Sequence, residues 1–252
     1  MPASAVPSSS SGSARYRTYV ARPHEVAAAQ RLRHRVLDAG CGARTDPATV
    51  PQHDGNEWDD VCDHLVVWDE VSDGVVGTCH LLPPERAMAL GRSYGDGQFD
   101  LSRHAQLRPW TVAAGRRYVH PEHRSGAVTS HLSAGLLRYV LERGHPYLAG
   151  RTSVPLTDGG STAAAVWDVV RTQHLAPAAL RVVPHVPFDV EGVGRPQASA
   201  LPPLVQDSLR GGGVVCGRPA HDRASGTAEF YVVMPLADVA ARAFGGPGNG
   251  RR

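Results

Sequence analysis

Three groups of residues in this sequence have the types and spacing to do chemistry. The first is Arg124-Ser125-Gly126-Ala127, set between an apolar run that ends at Val119 and a periodic apolar stretch from Thr129 to Arg143. A strand that passes through a small-residue loop into a helix aims backbone N–H groups and the positive end of the helix dipole at one point. That is the chemistry of a phosphate site. Arg124 would add side-chain donors for the same anion; the plain alternative is an arginine in solvent.

The second group is the acidic run Glu57, Asp59, Asp60 and Asp63, followed by His64. Carboxylates ahead of a strand can hold a cationic amine and help remove its proton. They can equally form a solvated turn that caps neighbouring structure. Asp63 and His64 border the strand and are the better anchored. The third group is the histidines. His80 lies in an apolar run, and imidazole titrates at about pH 6.5, the range a general base needs; a buried, hydrogen-bonded histidine is the other reading. His120 and His123 form an H-x-x-H pair with no third ligand at helical spacing, so no metal is expected.

These residues need elements to position them. Tyr16 to Ala21 reads as a strand, and Pro23 to Ala39 as a helix with Val26, Ala29, Leu32, Val36 and Leu37 at approximately helical spacing. His64 to Asp69 and Val75 to Leu82 form a hairpin across the turn residues between them. A loop or short helix over 85–109 carries Tyr94 and Phe99. With the four tryptophans these aromatics line an apolar tunnel or fill ordinary core.

Thr111 to Val119 is a strand feeding the loop and the helix. Tyr147 to Ser153 and Ser161 to His174 repeat the strand–helix pattern. A proline-rich arm over 176–203 leads to a short helix at Leu204 to Leu209 and two closing strands, Gly213 to Gly217 and Thr227 to Leu236. Alternation of this kind specifies an α/β fold with a mixed central sheet and helices on both faces. One domain is expected over 16–240, between disordered tails over 1–15 and 241–252.

Composition narrows the function. A formal net charge of +2 over 252 residues, with the arginines spread along the chain, gives no case for nucleic acid as a partner. No run approaches the length of a membrane span, and the N-terminus lacks the apolar core of a signal peptide. A cytoplasmic protein is the expectation. Cys41, Cys62, Cys79 and Cys216 have no metal-type spacing and are read as free thiols.

The co-linear segments QRLRHRVLDAG, DDVCDHLVV, GVVGTCHLLPP, GRSYGDGQFDLS, GRRYVHPEHRSGAV and LPPLVQDSLRGGGVVCGRPAHDRASGTAEFYVVMPL resemble the GNAT superfamily of N-acyltransferases. More narrowly they resemble the hemolysin-like branch that acylates ornithine or lysine from acyl carrier protein and is related to acyl-homoserine-lactone synthases. The likeness runs from Tyr16 to Leu236. It implies a GNAT fold and transfer of a fatty acyl group to a primary amine by direct attack on a thioester. No tightly bound cofactor is implied. The donor would be the acyl-phosphopantetheine of acyl carrier protein, or acyl-coenzyme A. The partners would be the carrier protein and a small amine, with peripheral membrane contact possible through a lipid product in ornithine-lipid synthesis.

The resemblance also distributes roles. Gly115, Arg117, Val119, Arg124, Ser125, Gly126 and Ala127 would bind the donor, and the amides around Gly115 to Arg117 would polarise its carbonyl. Asp59, Asp60 and His64 would hold the acceptor, while His80, Asp63 and Arg116 would serve catalysis. The family's Glu-x-Gly-Arg on the central strand is Ala113-Ala114-Gly115-Arg116 here, and an arginine on the hairpin is His80. If the two altered positions face each other, an ion pair has been lost without an orphan charge. Ala127 and Thr129 replace loop glycines, a change that fits a donor without a pyrophosphate. Two other readings stay open: a catalytically silent relative that binds an acyl carrier or metabolite, and an acetyl-coenzyme A-dependent enzyme of a natural-product pathway.

Overall fold

The computed structural model describes residues 15–40, 58–124, 126–196 and 201–236. The tails expected over 1–15 (Arg15 excepted) and 241–252, together with Cys41, Glu57 and Ser125, lie outside them. In chain order the elements are β1 (Tyr16–Val20), α1 (Val26–Gly40), β2 (Asp63–Asp69), β3 (Gly74–Leu82) and α2 (Pro84–Leu90). They continue with β4 (Phe99–Asp100), β5 (Thr111–Val119), α3 (Ala127–Glu142), β6 (Tyr147–Pro155) and α4 (Ser161–Gln173). The last are β7 (Val183–Pro184), α5 (Pro203–Arg210), β8 (Val214–Val215), β9 (Ala220–Asp222) and β10 (Thr227–Pro235).

One sheet runs in the order β1-β2-β3-β5-β6-β10-β8, with β9 pairing β10. Every pairing is antiparallel except β5 with β6. The central strands carry apolar residues on both faces because both faces are covered. On one face α3 lays Val128, Leu132, Leu136 and Val140 over Leu65, Cys79, Leu81, Val112 and Ala114. This is the stripe that helical spacing presents to a sheet. On the same side α4 and α5 pack over Val154, Phe230 and Val232. The opposite face carries Leu82 and Ala113 against Ala87 of α2, with Trp58 and Tyr94.

The expected strands and helices are present. The helix after the loop starts at Ala127, two residues earlier than its apolar spacing suggested, because Gly126 caps it at φ 94°, a left-handed conformation that glycine adopts without a Cβ penalty. The last strands differ from expectation: β8 is two residues long, and a further strand of three residues, β9, forms after it. The proline-rich arm is pinned by the small β4–β7 ladder.

Two irregularities in the centre shape the site. Cys79 pairs with Arg117 and Leu81 with Ala114, so His80 alone stands opposite both Gly115 and Arg116. This is a β-bulge, an extra residue that bends the strand and redirects side chains. Pairing of β5 with β6 ends at Ala114 and Gly150. Beyond that point β5 stays with β3 while β6 stays with β10, and the two strands part.

Candidate active site

The parting strands enclose a cavity of about 230 Å³, lined by Gly115, Arg116 and Arg117 on one side and Gly150 to Ser153 on the other. Leu204 and Ser208 of α5, with Val232 and Met234 of β10, close its apolar end. Arg117 points to the α3 side, where its Nη1 donates to Ser133 Oγ at 3.3 Å. Arg116 points to the other side, 3.5 Å from Glu229 Oε1 and 3.9 Å from Asp222 Oδ2. The bulge puts Gly115 on that same side. A Cβ at Gly115 would lie 3.1 Å from both His80 Cβ and the Tyr94 ring, so glycine is what permits this approach.

His80 belongs to a buried polar group that α1, β2 and β3 assemble. Its Nε2 lies 2.8 Å from Asp59 Oδ1 and 2.6 Å from Arg33 Nη1. Arg33 Nη2 also contacts Asp59 Oδ1 at 2.6 Å, and all three side chains are at most 6% exposed. Burial alone would raise the Asp59 carboxyl, but hydrogen bonds from His80 and Arg33 hold it well below the usual carboxylate range. His80 Nε2 cannot accept from Arg33 and donate to Asp59 in one protonation state.

His64 Nε2 donates to the backbone carbonyl of Asp59 at 3.1 Å, leaving a buried Nδ1 without a partner. Burial lowers its pKa, and the neutral ring packs edge-on to His80 at 4.7 Å. Tyr94 stacks with Trp58 at 4.4 Å and lies parallel to His80 at 6.1 Å. Asp59, His64 and His80 have the donor types of a metal site, but the cation already between Asp59 and His80 is the Arg33 guanidinium.

The other expected residues lie elsewhere. Asp63 faces α3, on the opposite side of the sheet from His80: Tyr139 Oη donates to its Oδ2 at 2.6 Å and Arg86 Nη1 to its Oδ1 at 2.8 Å. Asp63 is also not the partner of Arg116, which reaches Glu229 and Asp222 instead. Asp60 is exposed. Ala113 stands opposite Leu82 rather than His80, so the two altered family positions are not direct cross-strand neighbours.

Val119 packs on the α3 core, and Arg124, Gly126 and Ala127 are exposed at the helix start. His120 and His123 go to different partners, Arg35 and Tyr16. Phe99 fills core beside Tyr231, and Trp110 is exposed. Cys62, Cys79 and Cys216 are buried free thiols, pushed up to about 12, 11 and 12 by burial.

Sequence reasoning missed Arg33, Arg151, Asp222 and Glu229. The signals were a charge at the position after Leu32 on an otherwise apolar helix face, and a glutamate inside the apolar run of β10.

The family described as "Acetyltransferase (GNAT) domain" matches residues 32–134, which run from within α1 through the His80 hairpin and the bulge to the start of α3. The L-ornithine N(alpha)-acyltransferase of Rhodobacter capsulatus is 32% identical over 225 residues, covering 83% of this chain and 85% of its own. The chain belongs to this family of GNAT N-acyltransferases. The enzyme of the same name from Agrobacterium fabrum is 28% identical to this acyltransferase over 239 residues, 86% of this chain and 80% of its own. Among solved structures, the coenzyme A-dependent acyl-homoserine lactone synthase BjaI is 17% identical at a TM-score of 0.48, over 91% of this chain and 89% of that one. Among the described residues no helix of the acyltransferase is long and apolar enough to cross a membrane.

Proposed function

We propose that this N-acyltransferase moves a fatty acyl group from the phosphopantetheine of acyl carrier protein, or from coenzyme A, to the α-amine of ornithine or a close relative. The observation that carries this reading is the parted β5–β6 cavity beside the Gly115–Arg116 bulge, with His80 directly across from the bulge. An extended pantetheine arm fits between two strands that have stopped pairing. It brings the thioester carbonyl to the amides around Gly115 to Arg117, which stabilise the oxyanion as the amine attacks.

His80 takes the proton that the amine loses. The ring's Nε2–H donates to Asp59 Oδ1 2.8 Å away, which makes Nδ1 the nitrogen that accepts the proton. The amine then expels the thiol, with no covalent enzyme intermediate. At the other end Arg124, Gly126 and the first amides of α3 meet the donor's phosphate, the role given to Ser125 as well. Asp63 and its contacts with Tyr139 and Arg86 anchor the edge of β2 in this scheme.

The acyltransferase unit spans 16–240 and works in the cytoplasm, with acyl carrier protein as partner and ornithine lipids as the pathway served. The family's own chemistry favours this over a catalytically silent binder. The test is to incubate the protein with acyl-carrier-protein and acyl-coenzyme A thioesters and ornithine, then weigh the products. An Nα-acylornithine is expected, formed faster from one donor. Folded protein that acylates no amine with either donor overturns the reading.

A further inference from the structure

Six large apolar side chains are exposed among the described residues, and three of them gather at the end of α2. Met88 is 51% exposed, Leu90 40% and Trp110 58%. The 3-10 turn Arg108–Trp110 packs along α2, and Arg108 Nη1 donates to the carbonyl of Gly91 at 3.1 Å, which ties the turn to the helix end. Met88-Ala89-Leu90-Gly91 and Pro109-Trp110 thus form one uncharged tip, exposed throughout. The other side of α2 is anchored, with Ala87 buried against Trp58, Leu82, Tyr94 and Ala113.

A single exposed apolar residue needs no account, but a Trp, a Leu and a Met on one bare helix end do. Arginines border the tip. Arg86 is 44% exposed, Arg92 lies over the Trp58 ring at 4.8 Å, and Arg108 holds Gly91. Asp63 and Asp96 offset part of the charge of Arg86 and Arg108, so the apolar residues outweigh the rim.

A second copy is a poor occupant. Three half-exposed side chains cover a few hundred Å² at most, well short of the about 800 Å² per partner of a stable dimer. A bilayer surface needs only a few inserted side chains with cations beside them. Trp suits that boundary, its ring apolar and its N–H at headgroup level. We infer that this tip is a membrane-docking face, with Met88, Leu90 and Trp110 entering the headgroup boundary and Arg86, Arg92 and Arg108 meeting lipid phosphates.

The docking stands on this surface alone; its use rests on the acyltransferase reading. Trp110 precedes β5 and Arg124 follows it, so the tip and the donor end lie at opposite ends of a nine-residue strand, about 30 Å apart. A bilayer at the tip leaves the donor end open to a water-soluble donor. The wall behind the tip is the Trp58–Tyr94 stack beside His80, so an amphiphilic product is released close to lipid.

The test is flotation of the full chain with vesicles of phosphatidylglycerol and phosphatidylethanolamine. Wild type should float, and Trp110→Ala and Met88→Ser/Leu90→Ser should each lower the bound fraction by about 10-fold or more. Val71→Ser, which alters a side chain 76% exposed at the β2–β3 turn, should change nothing. Acyl transfer without vesicles should be the same in all four proteins.

Wild type that stays unbound overturns the inference, and so does undiminished binding by folded Trp110→Ala. A dimer in sedimentation that Trp110→Ala dissolves gives the tip to a second copy and also overturns it. Should Trp110→Ala not fold, the Met88→Ser/Leu90→Ser comparison decides. Flotation is read without turnover: protein that floats through this tip but acylates no amine keeps the docking face and loses the acyltransferase reading.

Discussion

Arg33 Nη2 lies 2.6 Å from Asp59 Oδ1, with each side chain 5% exposed. This ion pair joins α1 to the turn before β2 and presses on His80 from both sides. Buried pairs contribute little net stability compared with apolar packing, but breaking one strands a charge. Asp59→Leu alone should therefore destabilise the fold by about 3–5 kcal/mol. The double variant Arg33→Met/Asp59→Leu should recover most of that loss. Urea unfolding of the three proteins checks it, and a double variant no more stable than the single one contradicts the pairwise account.

If His80 takes the amine's proton, His80→Gln should lower kcat/KM by roughly 10²-fold or more. Binding of a non-hydrolysable donor analogue should stay within error of wild type. The pH–rate profile should also lose its acid limb. A variant that keeps both rate and limb assigns His80 a packing role only.

His64 and His104 are both buried, and burial lowers each below its ordinary value of 6.5. The folded chain therefore resists protonation at these sites while the unfolded chain does not. Stability is full above pH 6.5 and falls as the pH drops through the window from 6.5 toward the lowered folded values. The slope reaches at most about 1.4 kcal/mol per pH unit per histidine. His64→Leu should flatten this part of the stability profile, as chemical denaturation at a series of pH values will report. Asp59, also held low, adds acid sensitivity only below the ordinary carboxylate range.

Gly115→Ala is predicted to cost activity more than stability. Its methyl would meet His80 Cβ and the Tyr94 ring at 3.1 Å, tighter than ordinary contact. Those groups must give by a few tenths of an ångström, and a small misplacement at the reacting centre is expensive in rate. We expect a fall of about 10-fold or more in kcat with a melting temperature lowered by only a few degrees. An unaltered kcat argues that the bulge does not position the reacting groups.

Much of this architecture was legible in the chain. The strand–helix alternation, the hairpin ending at Leu82 and the loop at Arg124 follow from apolar period and from Gly and Pro placement, which are local properties. The co-linear motifs carried the family, and His80 was visible as an imidazole where the likeness predicted arginine. The short strand β9 was not visible, because three residues carry no period.

The composition of the site was decided only by tertiary structure. Asp59 and Asp63 are four residues apart in one acidic run, yet Asp59 lies in the turn before β2 and Asp63 is the first residue of the strand. Asp59 reaches His80, while Asp63 goes to Tyr139 beneath α3. Glu229 joins Arg116 and Arg151 only because β5, β6 and β10 lie side by side in the sheet. The bulge depends on a register between β3 and β5 that no local pattern encodes. The sequence by itself determined which elements form and to which family they belong; which charges meet was decided by pairing across the sheet, because such contacts join residues far apart in the chain.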